Sequence, residues 1–357
     1  MTTISKQCIC EPLETMYKMI LKDNKFVELE KAQHTCKLIG NFYEGRFNDI
    51  FINSEKILEY CKKSSELHDP IGCFNYCLEI FKKDNKEGNK LYLTFSHIPF
   101  CMLELARSYH HGYDLPQDNN QEILWLNKVI NHPYSTNKIL GEAMNFLGDI
   151  YYNGKVFDNA FANYQKSYIL DNKKSLYNIG VMYDNEEYIE KDSNMAIKCF
   201  EKVISFNLNN EITSNSMYNI ASIYRRMDPP NYQSAMNWAL KSHELGNKLA
   251  TNQIGQLYHF GNGVTKDINE AIKHYKDSKT GDGYWNLSCI YLEQGDYLRS
   301  IYMVKQAQKI YDSEYDKESC EQRIKMIIND HYMDFANVIE DNSSDSNDDE
   351  FLIVPTN

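Results

Sequence analysis

The chain has 357 residues, of which 42% are hydrophobic and 25% charged, an ordinary balance for a water-soluble fold with a sizeable core. The net charge is −12, and Glu340 to Glu350 holds six acids and no base, which leaves about −6 for the remainder; a body without a clustered positive surface argues against nucleic acid as a partner. No apolar run approaches the roughly 18 residues of a membrane span, and ten scattered cysteines behind a start, Met1 to Asp23, that lacks a secretion signal predict a soluble protein of the reducing cytoplasm.

Taken in order, Leu13 to Leu21 follows Pro12 and predicts a short helix in an N-terminal capping segment, residues 1–25. Residues 26–100 read as degenerate helical repeats. Leu38 to Gly45 supplies a first helix, Ile57 to Cys61 a second, and Ile71 to Lys83 a further amphipathic helix. Asp84 to Pro99 lacks the pattern and is expected to hold a loop or an irregular helix. From residue 101 to 312 the repeats are regular. A small residue marks each first helix at Ala106, Gly148, Gly180, Ala221, Gly255 and Ser288, with separations of 42, 32, 41, 34 and 33 residues. Tyr follows three positions later every time, at 109, 151, 183, 224, 258 and 291. The second helices carry Ala160, Ala196, Ala235, Ala271 and Ser300, with Tyr164, Phe200, Tyr275 and Val304 four positions after four of them. Small residues facing large ones at helical spacing predict two helices in close approach. Such a hairpin cannot bury its own apolar face, so stacked neighbours are required and unequal spacing must fall in the loops.

The clearest unit is Asn252 to Gly281. Gly261 and Gly263 are expected to end its first helix, and Asp267 with Glu270 forms a capping box for its second. Asp316 to Met333 predicts a final helix that covers the last repeat with Ile324, Ile327, Ile328 and Tyr332, within a capping region of residues 313–335. Residues 336–357 form an acidic tail expected to be disordered, ending in Phe351 to Pro355. Within it Ser346 has an acid three positions on, which resembles a site for an acidophilic kinase. The acids ahead of Phe351 resemble docking segments that add a strand to a ubiquitin-like modifier.

Leu257 to Ala271, L-Y-x-x-G-x-G-V-x-x-D-x-x-x-A, resembles Sel1-like repeats, while Gly148 to Ser167 and Ser288 to Ala307 resemble tetratricopeptide repeats. The resemblance covers about residues 36 to 312. It implies an all-α fold, a right-handed α/α solenoid whose first helices line a concave face, and a non-catalytic adaptor or scaffold for a protein or peptide partner. Two positions before the small residue, Asn178, Asn219 and Asn286 stand in one frame, and in tetratricopeptide units this position faces the groove and holds an extended peptide backbone. Lys174 precedes Asn178 by four residues. Arg225 and Arg226 close the first helix that carries Asn219, where cations suit the helix dipole and could also meet an acidic peptide. The third repeat has Leu249 and Gln253 where peptide-clamping members carry bases.

Other chemistry finds little footing. Cys8 with Cys10, Cys73 with Cys77 and His110 with His111 each lack the second pair that a structural metal site needs, so no metal or cofactor is expected. Neither a nucleophile elbow nor a phosphate-binding loop is present. Two alternatives to an adaptor remain: an enzyme or enzyme subunit with a site near His97, His110 and His111, and an architectural part of a larger assembly.

Overall fold

The computed structural model describes residues 62, 65, 70–185 and 190–330. The predicted helix at Leu13 to Leu21, the repeat at Leu38 to Cys61, Tyr332 and the tail with Ser346 and Phe351 to Pro355 lie outside the described residues. Among these, every regular element is an α-helix, fifteen in all. In order they are α1 Pro70–Lys83, α2 Asn85–Thr94, α3 Pro99–His111, α4 Asn119–Ile130, α5 Asn137–Asn153, α6 Phe157–Ile169, α7 Ser175–Asp184 and α8 Ser193–Ser205. There follow α9 Asn210–Arg226, α10 Tyr232–Glu244, α11 Lys248–Phe260, α12 Ile268–Ser278, α13 Gly281–Glu293, α14 Tyr297–Ile310 and α15 Glu314–Asp330. Two compact units divide the chain, Met1–Ile179 and Gly180–Asn357.

The hairpins are built as the small and large residues require. A Cβ on Gly148 of α5 would lie 2.5 Å from the Tyr164 ring of α6, and one on Gly255 of α11 would lie 2.6 Å from the Tyr275 ring of α12. Gly180 meets Phe200 at 2.9 Å in the same way. Each aromatic wedge is buried, as are Ala160, Ala196, Ala235, Ala271 and Ser300 on the second helices. A hydroxyl closes the last hairpin instead, where Ser300 Oγ donates to the Ser288 carbonyl at 2.8 Å.

One backbone bond recurs in all six hairpins. The carbonyl of the tyrosine three positions after the small residue accepts from the N–H of the residue that begins the second helix. The pairs are Tyr109 with Asp118, Tyr151 with Val156, Tyr183 with Asp192, Tyr224 with Asn231, Tyr258 with Asp267 and Tyr291 with Asp296, at 2.8 to 3.2 Å. Loops of different length thus start and end on the same bond, so spacing varies while helix packing does not. Five of those six residues also cap the second helix with a side-chain oxygen; Val156 is the exception.

The tightest unit departs from expectation in two details. Asp267 caps α12 by accepting from Asn269 N at 2.9 Å and Glu270 N at 3.1 Å. Its own N–H goes to Tyr258, and Glu270 reaches Lys273 instead of closing a reciprocal box. Gly261, at φ 71°, is the left-handed cap of α11, whereas a Cβ on Gly263 would lie 2.7 Å from Tyr232 Cβ, so this glycine serves a close approach to α10.

Asp84 to Pro99 is mostly helix. Asp84 caps α2 by accepting from Lys86 N and Glu87 N, and Tyr92 is buried against Phe81 and its neighbours. The repeat signature is missing because the close approach is reversed: Gly88 lies on α2 and a Cβ there would come within 2.5 Å of the Phe81 backbone on α1. At the other end, α15 packs on α14 through buried Cys320, with Ile324 beside it; Ile327 is buried and Ile328 half-buried.

Candidate functional site on the first helices

Asn178, Asn219 and Asn286 lie on the first helices α7, α9 and α13, each two residues before the small residue, and Gln253 holds the same sequence position on α11; Asn178 belongs to the first unit and the other three to the second. Two of these amides are bound to a neighbouring repeat. Asn178 Nδ2 stands 3.4 Å from Asn145 Oδ1 and 3.3 Å from Asp149 Oδ1, both on α5. Asn286 Nδ2 donates to Asn252 Oδ1 of α11 at 3.0 Å. Asn219 is half-buried. Gln253 is 2% exposed, and neither of its amide atoms has a hydrogen-bond partner among the described residues.

Lys174 is exposed in the turn just before α7 begins at Ser175, one residue outside the helix that carries Asn178. Arg225 and Arg226 occupy the last turn of α9. Arg225 Nη1 donates to Gln256 Oε1 of α11 at 2.6 Å, and Arg226 Nη2 pairs with Asp184 Oδ2 of α7 at 2.7 Å. These partners, with Asn145, Asp149 and Asn252, escaped the sequence reading. The residue order does carry a signal: Asn145 and Asn252 each stand three residues before the small residue of their helix, Gly148 and Gly255, one position from the frame of Asn178, Asn219 and Asn286.

Around Asn178 the polar contacts form a continuous network in the first unit. Asp149 Oδ1 accepts from Tyr164 Oη at 2.8 Å and Asp149 Oδ2 from Asn145 Nδ2 at 3.0 Å. Ser175 Oγ donates to Asn145 Oδ1 at 2.9 Å and lies 2.6 Å from Ser167 Oγ, which donates to the Gly141 carbonyl. Burial pushes the Asp149 carboxyl up to about 6 despite the Tyr164 hydrogen bond, and the same cause raises Tyr164. Glu122, almost fully buried on α4, is raised by burial and held partly in check by His110, whose Nδ1 is 3.0 Å from Glu122 Oε2.

The three histidines of the enzyme alternative are not gathered into one site. His97 is exposed and lies edge-on to Phe95. His110 and His111 touch with ring centroids 4.7 Å apart, but His110 turns to Glu122 and His111 to Tyr113. Burial and the neighbouring His110 hold His111 below the ordinary histidine range. Among the described residues no group of three or more His, Cys, Asp or Glu is placed to hold a metal ion, and no helix is long and apolar enough to cross a membrane. Within each unit the first helices carry fixed donors and acceptors, Asn145, Asp149 and Asn178 in the first and Arg225, Gln256, Asn252 and Asn286 in the second, suited to holding neighbouring repeats in shape.

Fold and site together define a helical-repeat protein made of stacked α/α hairpins. More particularly, the chain carries five Sel1 repeats, matched at residues 99–128, 141–171, 173–203, 214–247 and 248–276. No curated protein matches it in sequence. In structure it is similar to c5321, a protective antigen of uropathogenic Escherichia coli displaying an SLR fold, with a TM-score of 0.65 and 16% identity over 98% of this chain and 77% of that one. A Sel1 repeat protein from Oxalobacter formigenes is similar at a TM-score of 0.56 and 17% identity over 68% of this chain and 96% of the other. Yeast Tom70 follows at a TM-score of 0.51 and 12% identity, over 97% and 69% of the two chains. At these identities the likeness is one of fold.

Proposed function

We propose that this chain is a non-catalytic cytoplasmic scaffold that binds a peptide or protein partner on the face formed by its first helices, with Lys174, Asn178, Asn219, Arg225, Arg226 and Asn286 at the contact. The observation that supports the reading is the side-chain amide repeated at one sequence position of α7, α9, α11 and α13, with exposed Lys174 just ahead of α7 and two arginines in the last turn of α9. An amide offers both a donor and an acceptor, which suits an extended peptide backbone. Sel1 repeats as a class serve protein interaction, which agrees with this use. Asn178 and Asn286 have a second task, since each also bridges to the preceding repeat; a partner would compete with that bridge or add to it.

The test compares partners captured from the native cell by the wild type, by the Asn178→Ala and Asn219→Ala double variant, and by Arg225→Glu, each first shown by circular dichroism to retain its helix content. A partner that is reconstituted in vitro should bind the double variant and Arg225→Glu at least about tenfold more weakly, with affinity falling as salt rises. Equal affinity in every case would remove these residues from the contact.

A further inference from the structure

Three helices of the second unit, α10, α11 and α12, meet around two imidazoles. His243 of α10 and His274 of α12 stand edge to face, with ring centroids 5.8 Å apart. His274 also lies flat on Tyr258 of α11, the planes 7° apart. His243 Nδ1 is 2.7 Å from Thr251 Oγ1, and the Thr251 hydroxyl gives its only proton to the Asn247 carbonyl at 2.9 Å. The threonine oxygen therefore accepts, which places the proton of a neutral His243 on Nδ1 and leaves Nε2 without one. His274 Nδ1 is buried with no partner among the described residues. Its Nε2 is 3.8 Å from Glu270 Oε2, beyond hydrogen-bond reach.

The charged groups around His274 are Glu270, Lys273 and Asp277 on its own helix; α10 presents His243 and α11 the ring of Tyr258. Burial first and His243 second hold His274 below the ordinary histidine range, against the opposing pull of Glu270 and Asp277. A proton arriving here would need a hydrogen-bond acceptor at a nitrogen that has none, and would set a cation against the neighbouring imidazole of His243.

We propose that the His243 and His274 pair is a pH-sensitive joint between the α9–α10 and α11–α12 hairpins, at which acidification below about pH 6.5 loosens α12 from its neighbours. The loosened form binds the proton more readily than the packed one. Linkage therefore raises its population by at most about tenfold for each proton taken up and each pH unit lost. The joint acts on hairpin packing and is independent of what the first-helix face binds.

Amide hydrogen exchange on the full-length chain, corrected for the intrinsic effect of pH, tests it. Between pH 7 and pH 5.5 residues 243–278 should exchange up to about tenfold faster relative to α14, which carries no histidine, aspartate or glutamate. His274→Phe keeps a ring on Tyr258 without a titrating nitrogen and should abolish the acceleration; His243→Gln should reduce it. An acceleration unchanged in His274→Phe, or absent from the wild type, would overturn the joint. Should the variants fail to fold, the NMR titration of His274 in the wild type decides, because a midpoint at or above the unperturbed value of about 6.5 also overturns it.

Discussion

Two hairpins built to one plan, α5–α6 in the first unit and α11–α12 in the second, differ in the polar group set behind the aromatic wedge. Tyr164 donates to a carboxylate, Asp149, whereas Tyr275 stands 3.3 Å from the imidazole of His259, which in turn lies 3.5 Å from Glu293. The first unit thus buries acids that burial makes reluctant to ionise, Asp149 and Glu122, while the second holds one imidazole that burial makes reluctant to charge, His274. The same packing geometry carries opposite responses to acid, because the helix-to-helix contact is set by the small and aromatic residues and leaves the polar position behind them free to vary.

The largest expected effect tests what the two hairpins share. Gly148→Val and Gly255→Val each force a side chain into the ring of Tyr164 or Tyr275, and each should cost about 3 kcal/mol in denaturant unfolding. A large cost at one position and none at the other would show that the hairpins are not equivalent. Removing the wedge hydroxyl should then separate them. Tyr164→Phe deprives a half-buried carboxylate of a donor and should cost about 2 kcal/mol, while Tyr275→Phe loses a longer bond to an imidazole and should cost about 1 kcal/mol or less, both read from the unfolding midpoint.

The smallest effect concerns pH. Asp149 titrates near 6 in the folded chain against an ordinary 3.8, so the folded form binds its proton more readily than the unfolded one. Its contribution to stability is present below the unfolded value and lost as pH rises through about 6. Exchange protection of α5 to α7 should therefore increase on going from pH 7 to pH 5, by less than about tenfold per pH unit. Over this interval the joint at His274 should weaken. Asp149→Asn should flatten the response in the first unit alone, and a first unit that loses protection with acid would break the contrast.

Much of this architecture is legible in residue order. Gly148 with Tyr164, Gly180 with Phe200 and Gly255 with Tyr275 announce close helix approach, because a missing side chain opposite a large one has few other uses at helical spacing. Gly261 marks a left-handed cap, and the terminal helix, with its buried Cys320 and Ile327, follows from the need to cover an open apolar end. The frame shared by Asn178, Asn219 and Asn286 is visible too.

What only the tertiary structure decided is where those polar groups are directed. Asn178 meets Asn145 and Asp149, Asn286 meets Asn252, and Arg225 meets Gln256, each across 29 to 34 residues of chain. Local periodicity reports which face of a helix is apolar; it does not report which side chain of the next repeat stands opposite. The bond from each tyrosine carbonyl to the head of the second helix was hidden for a related reason, since backbone groups leave no trace in residue type. Between Asp84 and Pro99, where the pattern allows a loop or an irregular helix, only the structure decides for the capped helix α2, because its close approach exchanges the places of small and large residue, Gly88 against Phe81. Sequence alone thus defines the hairpins and their stacking, whereas the stacked neighbours set the hydrogen bonds and proton affinities of the surface they share.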